Sequence, residues 1–171
     1  ADAAHGFIEN TELRGIFGRG KPEVTIKHEQ DGTYYRSRID WLTDDNKIIL
    51  DLKTTDGPAK PESFIRGPLR GLHYDMKAEF YKWMVACQFD TAPSFYWFVQ
   101  ETEAPYCCSL IGMAPSMVEL GQRKLAIADG LWKKCMAERK WPAYGLEIAY
   151  AESEPWQETT LLQRELEELP Q

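Results

Sequence analysis

The segment Lys47 to Lys53 (KIILDLK) constrains this chain more than any other stretch. Its continuous apolar run ends in charges. That pattern fits an interior strand of a sheet, covered on both faces and delivering its last side chains to its own end. Such a strand needs partners on either side and helices above and below. The expected class is therefore a layered α/β domain.

The flanking segments supply those partners. Glu23 to Glu29 (EVTIKHE) and Thr33 to Trp41 (TYYRSRIDW) alternate polar and apolar residues with the period of half-buried strands. Between them Gln30-Asp31-Gly32 is a hairpin signal, and the acidic turn Thr43-Asp44-Asp45-Asn46 leads into the apolar strand, so a meander is expected. A short helical start precedes it. After it, Asp56 to Gly71 is punctuated by Pro and Gly, with room for one short helix after Pro61. A longer helix is expected from Leu72 to about Phe89, its stripe of Leu72, Met76, Phe80, Trp83, Met84 and Cys87 facing the core. Ser94 to Glu101 and Tyr106 to Met113 read as two more strands, and a last helix opens after Pro115 and runs to about Lys140. Its apolar set is Met117, Leu120, Leu125, Ala128, Leu131, Trp132 and Met136. The order β-β-β-α-β-β-α predicts an α/β sandwich with a mixed central sheet of about five strands flanked by helices. The tryptophans, including Trp83, Trp97 and Trp132, fall at positions expected to pack in the core.

At 171 residues the chain has room for one sizeable domain, expected over 1–146, followed by an acidic tail over 147–171. The tail is expected to be loosely ordered, with a short amphipathic helix over Leu161 to Leu169. A formal charge of −7 argues at first against a nucleic-acid partner, but the tail alone contributes −6 through seven glutamates against Arg164. The four cysteines lack the C-x-x-C spacing of zinc or iron–sulfur sites and read as reduced cytosolic thiols. No apolar run approaches the roughly 20 residues of a membrane span. The opening Ala-Asp-Ala-Ala-His-Gly-Phe carries neither a signal-peptide pattern nor an initiator Met, and reads as a processed end or a cut from a longer protein. A cytoplasmic protein with no membrane partner is expected.

Chemistry concentrates on the second and third strands. Alternation puts Tyr34, Arg36, Arg38 and Asp40 on one face of the second strand, and Asp51 and Lys53 share a face of the third. Neighbouring strands thus bring Asp40, Asp51 and Lys53 together at one sheet edge. Phosphodiester hydrolysis at neutral pH calls for such a set: carboxylates hold hard divalent cations, and an ammonium orients water or offsets charge in the transition state. Leu52 can add its backbone carbonyl. Without a cation the clustered carboxylates are expected to repel one another. A carboxylate beside a lysine is also a common solvated surface pair, so Asp-x-Lys alone decides little.

The larger pattern is more specific. Arg38-Ile39-Asp40, then Ile48 to Thr55 (IILDLKTT), then Tyr74 to Tyr81 (YDMKAEFY), resembles the RecE-type (exodeoxyribonuclease VIII) branch of the PD-(D/E)XK nucleases over roughly residues 12 to 145. The resemblance implies a restriction-endonuclease-like fold. It implies Asp40 and Asp51 as ligands of Mg2+ or Mn2+, Lys53 as the catalytic lysine, and Glu23 as an upstream acid completing the metal site with the Leu52 carbonyl. Lys77, Tyr81, Arg36, Arg38 and Thr54 become candidate DNA contacts. By the same resemblance the activity is 5′ to 3′ degradation of linear duplex DNA in phage-type recombination, by a homo-oligomeric ring acting with a single-strand annealing recombinase. Two features depart from the family. Lys77 stands where its helix motif has Gln, and no residue matches its upstream histidine helix, since His5 lies too close to Glu23.

Two rival readings remain. One is a catalytically impaired nuclease-fold module that binds DNA or assembles with partners. The other is a RecB-like nuclease with an iron–sulfur cluster, which the scattered cysteines disfavour. His73, one turn from Lys77, is either a DNA-facing or a structural residue; His28 reads as structural; and Arg36 and Arg38 can equally pair across the strands with Glu23 or with neighbours of Lys53.

Overall fold

The computed structural model describes residues 2–9, 13–145 and 147–168, in two compact units, Ala1–Arg139 and Lys140–Gln171. The first unit begins with two short helices, α1 (Asp2–Glu9) and α2 (Leu13–Phe17), and then the strands β1 (Gly20–Gln30), β2 (Thr33–Thr43) and β3 (Ile48–Thr55). A helical turn α3 (Pro61–Phe64) runs into a π-helical turn (Ile65–Leu69), then come α4 (Tyr74–Phe89), β4 (Ser94–Glu101), β5 (Cys108–Gly112) and α5 (Pro115–Glu138). The five strands lie in sequence order, antiparallel except for the parallel β3–β4 pair that α4 connects. This is the mixed sheet expected from the sequence.

The hairpin between β1 and β2 closes on Asp31 and Gly32, with Gln30 paired to Thr33. Both turn residues have positive φ (52° and 73°), the geometry a two-residue hairpin needs to match the twist of its strands, and Asp-Gly tolerates it best. β3 is the interior strand, with Ile49, Leu50 and Asp51 fully buried. Its two faces receive different cover. On one side Phe17 stacks against Trp41 and Phe98, and Phe7 meets Phe98 at 5.9 Å. On the other, Ala78, Met84 and Val85 of α4 join Ile26, Ile39, Ile49, Trp97 and Val99 in the main core.

The stripe expected on α4 is only partly the buried one. Met84 is buried and Phe80 and Trp83 pack against the core, but Leu72 precedes the helix and is 62% exposed, and Cys87 is exposed. Asp75 and Glu79 are buried instead, because α5 covers the back of α4. Lys124 reaches Asp75 at 2.7 Å, and Glu79 is held by Lys82 (2.7 Å) and Gln122 (3.0 Å). This polar seam also explains α5, whose Leu120, Leu131, Trp132 and Met136 are 43–55% exposed rather than core. Of the tryptophans, Trp97 and Trp83 pack as expected, whereas Trp132, Trp141 and Trp156 are largely exposed.

The two helices touch at Gly121, where a Cβ would lie 2.6 Å from the Asp75 backbone oxygen. Gly121→Ala is therefore expected to lower stability by about 1–2 kcal/mol, overpacking outweighing the gain in helix propensity. Gly130, on the same helix with open space around it, should gain about 0.5–1 kcal/mol from the same change. Urea denaturation of both variants measures the contrast.

In the second unit α6 (Pro155–Glu168) begins earlier than the helix expected at Leu161, whose last residue, Leu169, lies outside the described residues. Pro155 occupies its first turn, the Glu154 N–H donates to Gln157 Oε1 at 2.8 Å, and Ser153 caps toward Glu158, which together start the helix there. Among the described residues no helix is long and apolar enough to cross a membrane.

Candidate active site

The site forms where β2 and β3 part company. β3 pairs with β4 along its whole length, from Ile48↔Ser94 to Thr55↔Glu101, but with β2 only at Trp41↔Leu50 and Leu42↔Ile49. Beyond that point the Leu52 N–H has no strand partner on the β2 side. The Asp40 carboxylate takes the place of a backbone carbonyl, accepting that N–H at 2.9 Å through Oδ2. On the far side of β2, Glu23 has φ 55° and drops out of the β1 ladder between Pro22↔Trp41 and Val24↔Ile39, which puts it across from Asp40. The divergence of the strands is thus what brings Asp40 alongside Asp51.

Asp51 is completely buried, and an isolated carboxylate there would be costly. Two ammonium groups offset it. Lys53 Nζ contacts Asp51 Oδ2, and Lys77 Nζ, projecting from α4, donates to Oδ1 at 2.8 Å. Lys53 also donates to the Leu52 carbonyl at 3.2 Å and lies 5.1 Å from the Tyr74 ring centroid, while Lys77 lies 5.0 Å from that of Tyr81. The two lysines respond differently to the same partner. Burial holds Lys53 below the ordinary lysine range despite the bond and charge of Asp51. For Lys77 burial pulls the same way, but the Asp51 bond and charge prevail and its proton is held more tightly. The difference follows exposure: the Lys53 side chain is 14% exposed and that of Lys77 36%, so Lys77 loses less hydration. Burial raises the Tyr81 phenol, which stays neutral beside them.

Asp40, Asp51, Lys53, Lys77 and Tyr81 are thus brought to one place, and the other candidates are not. Glu23 turns to Arg38, pairing at 2.7 Å, so the cross-strand alternative is the arrangement seen and neither group reaches Asp51. Arg36 is exposed and lines a different cavity of about 810 Å3, together with Phe80, Trp83, Leu125 and Lys133. Thr54 is exposed further along β3, in a recess with Tyr74, Pro68 and Thr102. Leu52 points its side chain to solvent and its carbonyl to Lys53. His73 faces Lys124, Nδ1 to Nζ 3.3 Å, on the α5 side, and His28 packs edge-on against Trp83. Sequence reasoning missed Tyr74 as the ring beneath Lys53. Its spacing of three and seven residues from Lys77 and Tyr81 was the available signal for one helical face.

Among the described residues no three His, Cys, Asp or Glu side chains converge as a metal-binding group. The oxygen donors at the site are two carboxylates, Asp40 and Asp51, and the Leu52 carbonyl. All three are hard oxygens, and the two ammonium groups on Asp51 supply the positive charge that this buried carboxylate demands. That set fits a hard divalent cation whose remaining positions are left to water and substrate.

The sequence matches the family model described as a PDDEXK-like domain of unknown function (DUF3799) over residues 1–154. No curated protein sequence matches. Among solved structures, a "putative exonuclease" from Eubacterium rectale superposes with a TM-score of 0.63 at 12% identity, over 91% of this chain and 62% of that one. The chain therefore spans less than two thirds of that protein, and the likeness is one of fold. A second structure, SSO0001, matches with a TM-score of 0.37 at 19% identity, over 74% of this chain and 58% of that one.

Proposed function

The chain belongs to the PDDEXK-like domain family, and from that premise we propose that it is a divalent-metal-dependent nuclease hydrolysing the phosphodiester backbone of DNA. The observation that carries this reading is the buried Asp51 with Asp40 beside it and Lys53 and Lys77 converging on it at the parted edge of the sheet. A reaction site with developing negative charge needs ammonium groups preorganised in this way.

In this reading Asp40, Asp51 and the Leu52 carbonyl hold Mg2+ or Mn2+. When bound, the cation polarises the phosphate and acidifies a water. Lys53 holds a proton at Nζ more loosely than an ordinary lysine, because burial strains its charge, and is placed to orient the attacking water or neutralise the pentavalent transition state. Lys77 supplies a second ammonium for the scissile or adjacent phosphate, with Tyr81 neutral behind it. Tyr74 and Tyr81 help place the two ammonium groups, each of which lies over a ring face.

The finer proposal is an exonuclease on linear duplex DNA, running 5′ to 3′ in phage-type recombination, as a homo-oligomeric ring with a single-strand annealing partner. The resemblance to RecE-type enzymes supports it. A magnesium-dependent digestion of 5′-labelled and 3′-labelled linear duplex beside a closed circle tests it. Loss of 5′ label from linear DNA, with the circle intact, is expected. Cutting of the circle would overturn the exonuclease assignment, and no cutting of any substrate would favour a non-catalytic DNA-binding module.

A further inference from the structure

Resting on the metal-dependent reading, we propose that Lys77 is an internal cation that the divalent metal displaces from Asp51, and that the freed ammonium passes to a DNA phosphate. Asp51 has two oxygens and both are taken, Oδ2 by Lys53 and Oδ1 by Lys77 at 2.8 Å. Each oxygen keeps a second lone pair, but the carboxylate is fully buried beneath these ammonium groups, so an incoming cation meets their like charge at close range and one of them gives way.

The two lysines are not equally free to leave. Lys53 comes from the same strand, is 14% exposed, and is tied additionally to the Leu52 carbonyl (3.2 Å) and the Tyr74 ring. Lys77 reaches in from α4, is 36% exposed, and beyond Asp51 meets the Tyr81 ring and phenol and the charge of Asp40; among the described residues it lacks a backbone carbonyl tie such as Lys53 has to Leu52. Its four-carbon stem carries the charge to solvent with little loss of packing. Lys77 is therefore the group that yields. Once displaced it is a solvated point charge at the mouth of a site that binds an anionic backbone, a role suited to lysine. Metal and DNA then assist each other: the metal frees Lys77 for phosphate, and a phosphate holding Lys77 clears Oδ1 for the metal. By linkage the assistance is reciprocal.

Calorimetric titration of the full chain with Mn2+ in the absence of DNA tests this, using wild type, Lys77→Gln, Lys77→Met and Asp51→Asn. Lys77→Met keeps the length of the stem against Tyr81 should Gln compromise folding. Both Lys77 variants should bind Mn2+ about tenfold tighter than wild type. In parallel, their binding to linear duplex in metal-free buffer should weaken, with a salt dependence shallower by about one counterion. These shifts have opposite signs, whereas loss of a merely structural residue weakens both. If Asp51→Asn abolishes Mn2+ uptake but both Lys77 variants bind Mn2+ no tighter than wild type, the displacement idea is overturned and the nuclease reading stands. If wild type binds Mn2+ and Asp51→Asn binds it equally well, Asp51 is not a ligand and both fail.

Discussion

Lys53→Ala should lower magnesium-dependent turnover by about 10²–10³-fold while leaving Mn2+ affinity equal or higher. The magnitude is that of removing one preorganised donor aimed at developing charge in a water-poor site. The direction for metal binding follows from the geometry. Lys53 is no ligand; it occupies Asp51 Oδ2 and the Leu52 carbonyl, two of the atoms assigned to the cation. Folding should change little, by about 1–2 kcal/mol, because Lys77 still neutralises Asp51 at 2.8 Å and the lost ammonium was itself strained by burial. Single-turnover cleavage, calorimetry and a urea melt on the same preparation separate the three effects. A fall in Mn2+ affinity as deep as that of Asp51→Ala would show that Lys53 acts through the metal site and not on the substrate.

Asp51→Asn and Asp40→Asn should both abolish cleavage, yet they should part on stability. Sequence alone suggested that two close carboxylates repel without a cation, so that removing either charge would be neutral or stabilising. The structure leads to the opposite expectation for Asp51. Its charge is enclosed by two ammonium groups, and the neutral amide leaves both without their nearest counter-charge, with Asp40 acting from further off, in a partly buried setting. Breaking one side of a buried pair costs about 3–5 kcal/mol; because the Lys77 side chain is 36% exposed and can turn to water, about 2–3 kcal/mol is expected here. Asp40→Asn should cost under about 1 kcal/mol, because an amide oxygen can still accept the Leu52 N–H. Urea melts in EDTA decide it. An Asp51→Asn protein as stable as wild type would restore the repulsion account and remove the argument that the lysines serve this carboxylate.

Local sequence determined a good deal of this protein. KIILDLK read as an interior strand, Asp31-Gly32 read as part of a hairpin signal, and alternation or helical spacing marked most of the strands and helices of the first unit, because these signals depend on neighbours a few residues apart. Asp40, Asp51 and Lys53 were legible for the same reason: they ride on adjacent strands at matched ends. Tertiary structure decided what depends on distant partners. The ladder between β2 and β3 stops after Leu50, so Asp40 becomes an acceptor for Leu52; no local pattern encodes where two strands separate. Lys77 is 26 residues from Asp51 and reads as a solvated helix face until α4 is laid across the sheet. Glu23 turns to Arg38 because β1 is kinked opposite Asp40. Asp75 and Glu79 are buried because α5 closes over them at Gly121, a packing that hydrophobic periodicity along α4 cannot register since the buried groups are charged. Sequence periodicity reports which way a side chain faces; only the packed chain determines which charge it meets there.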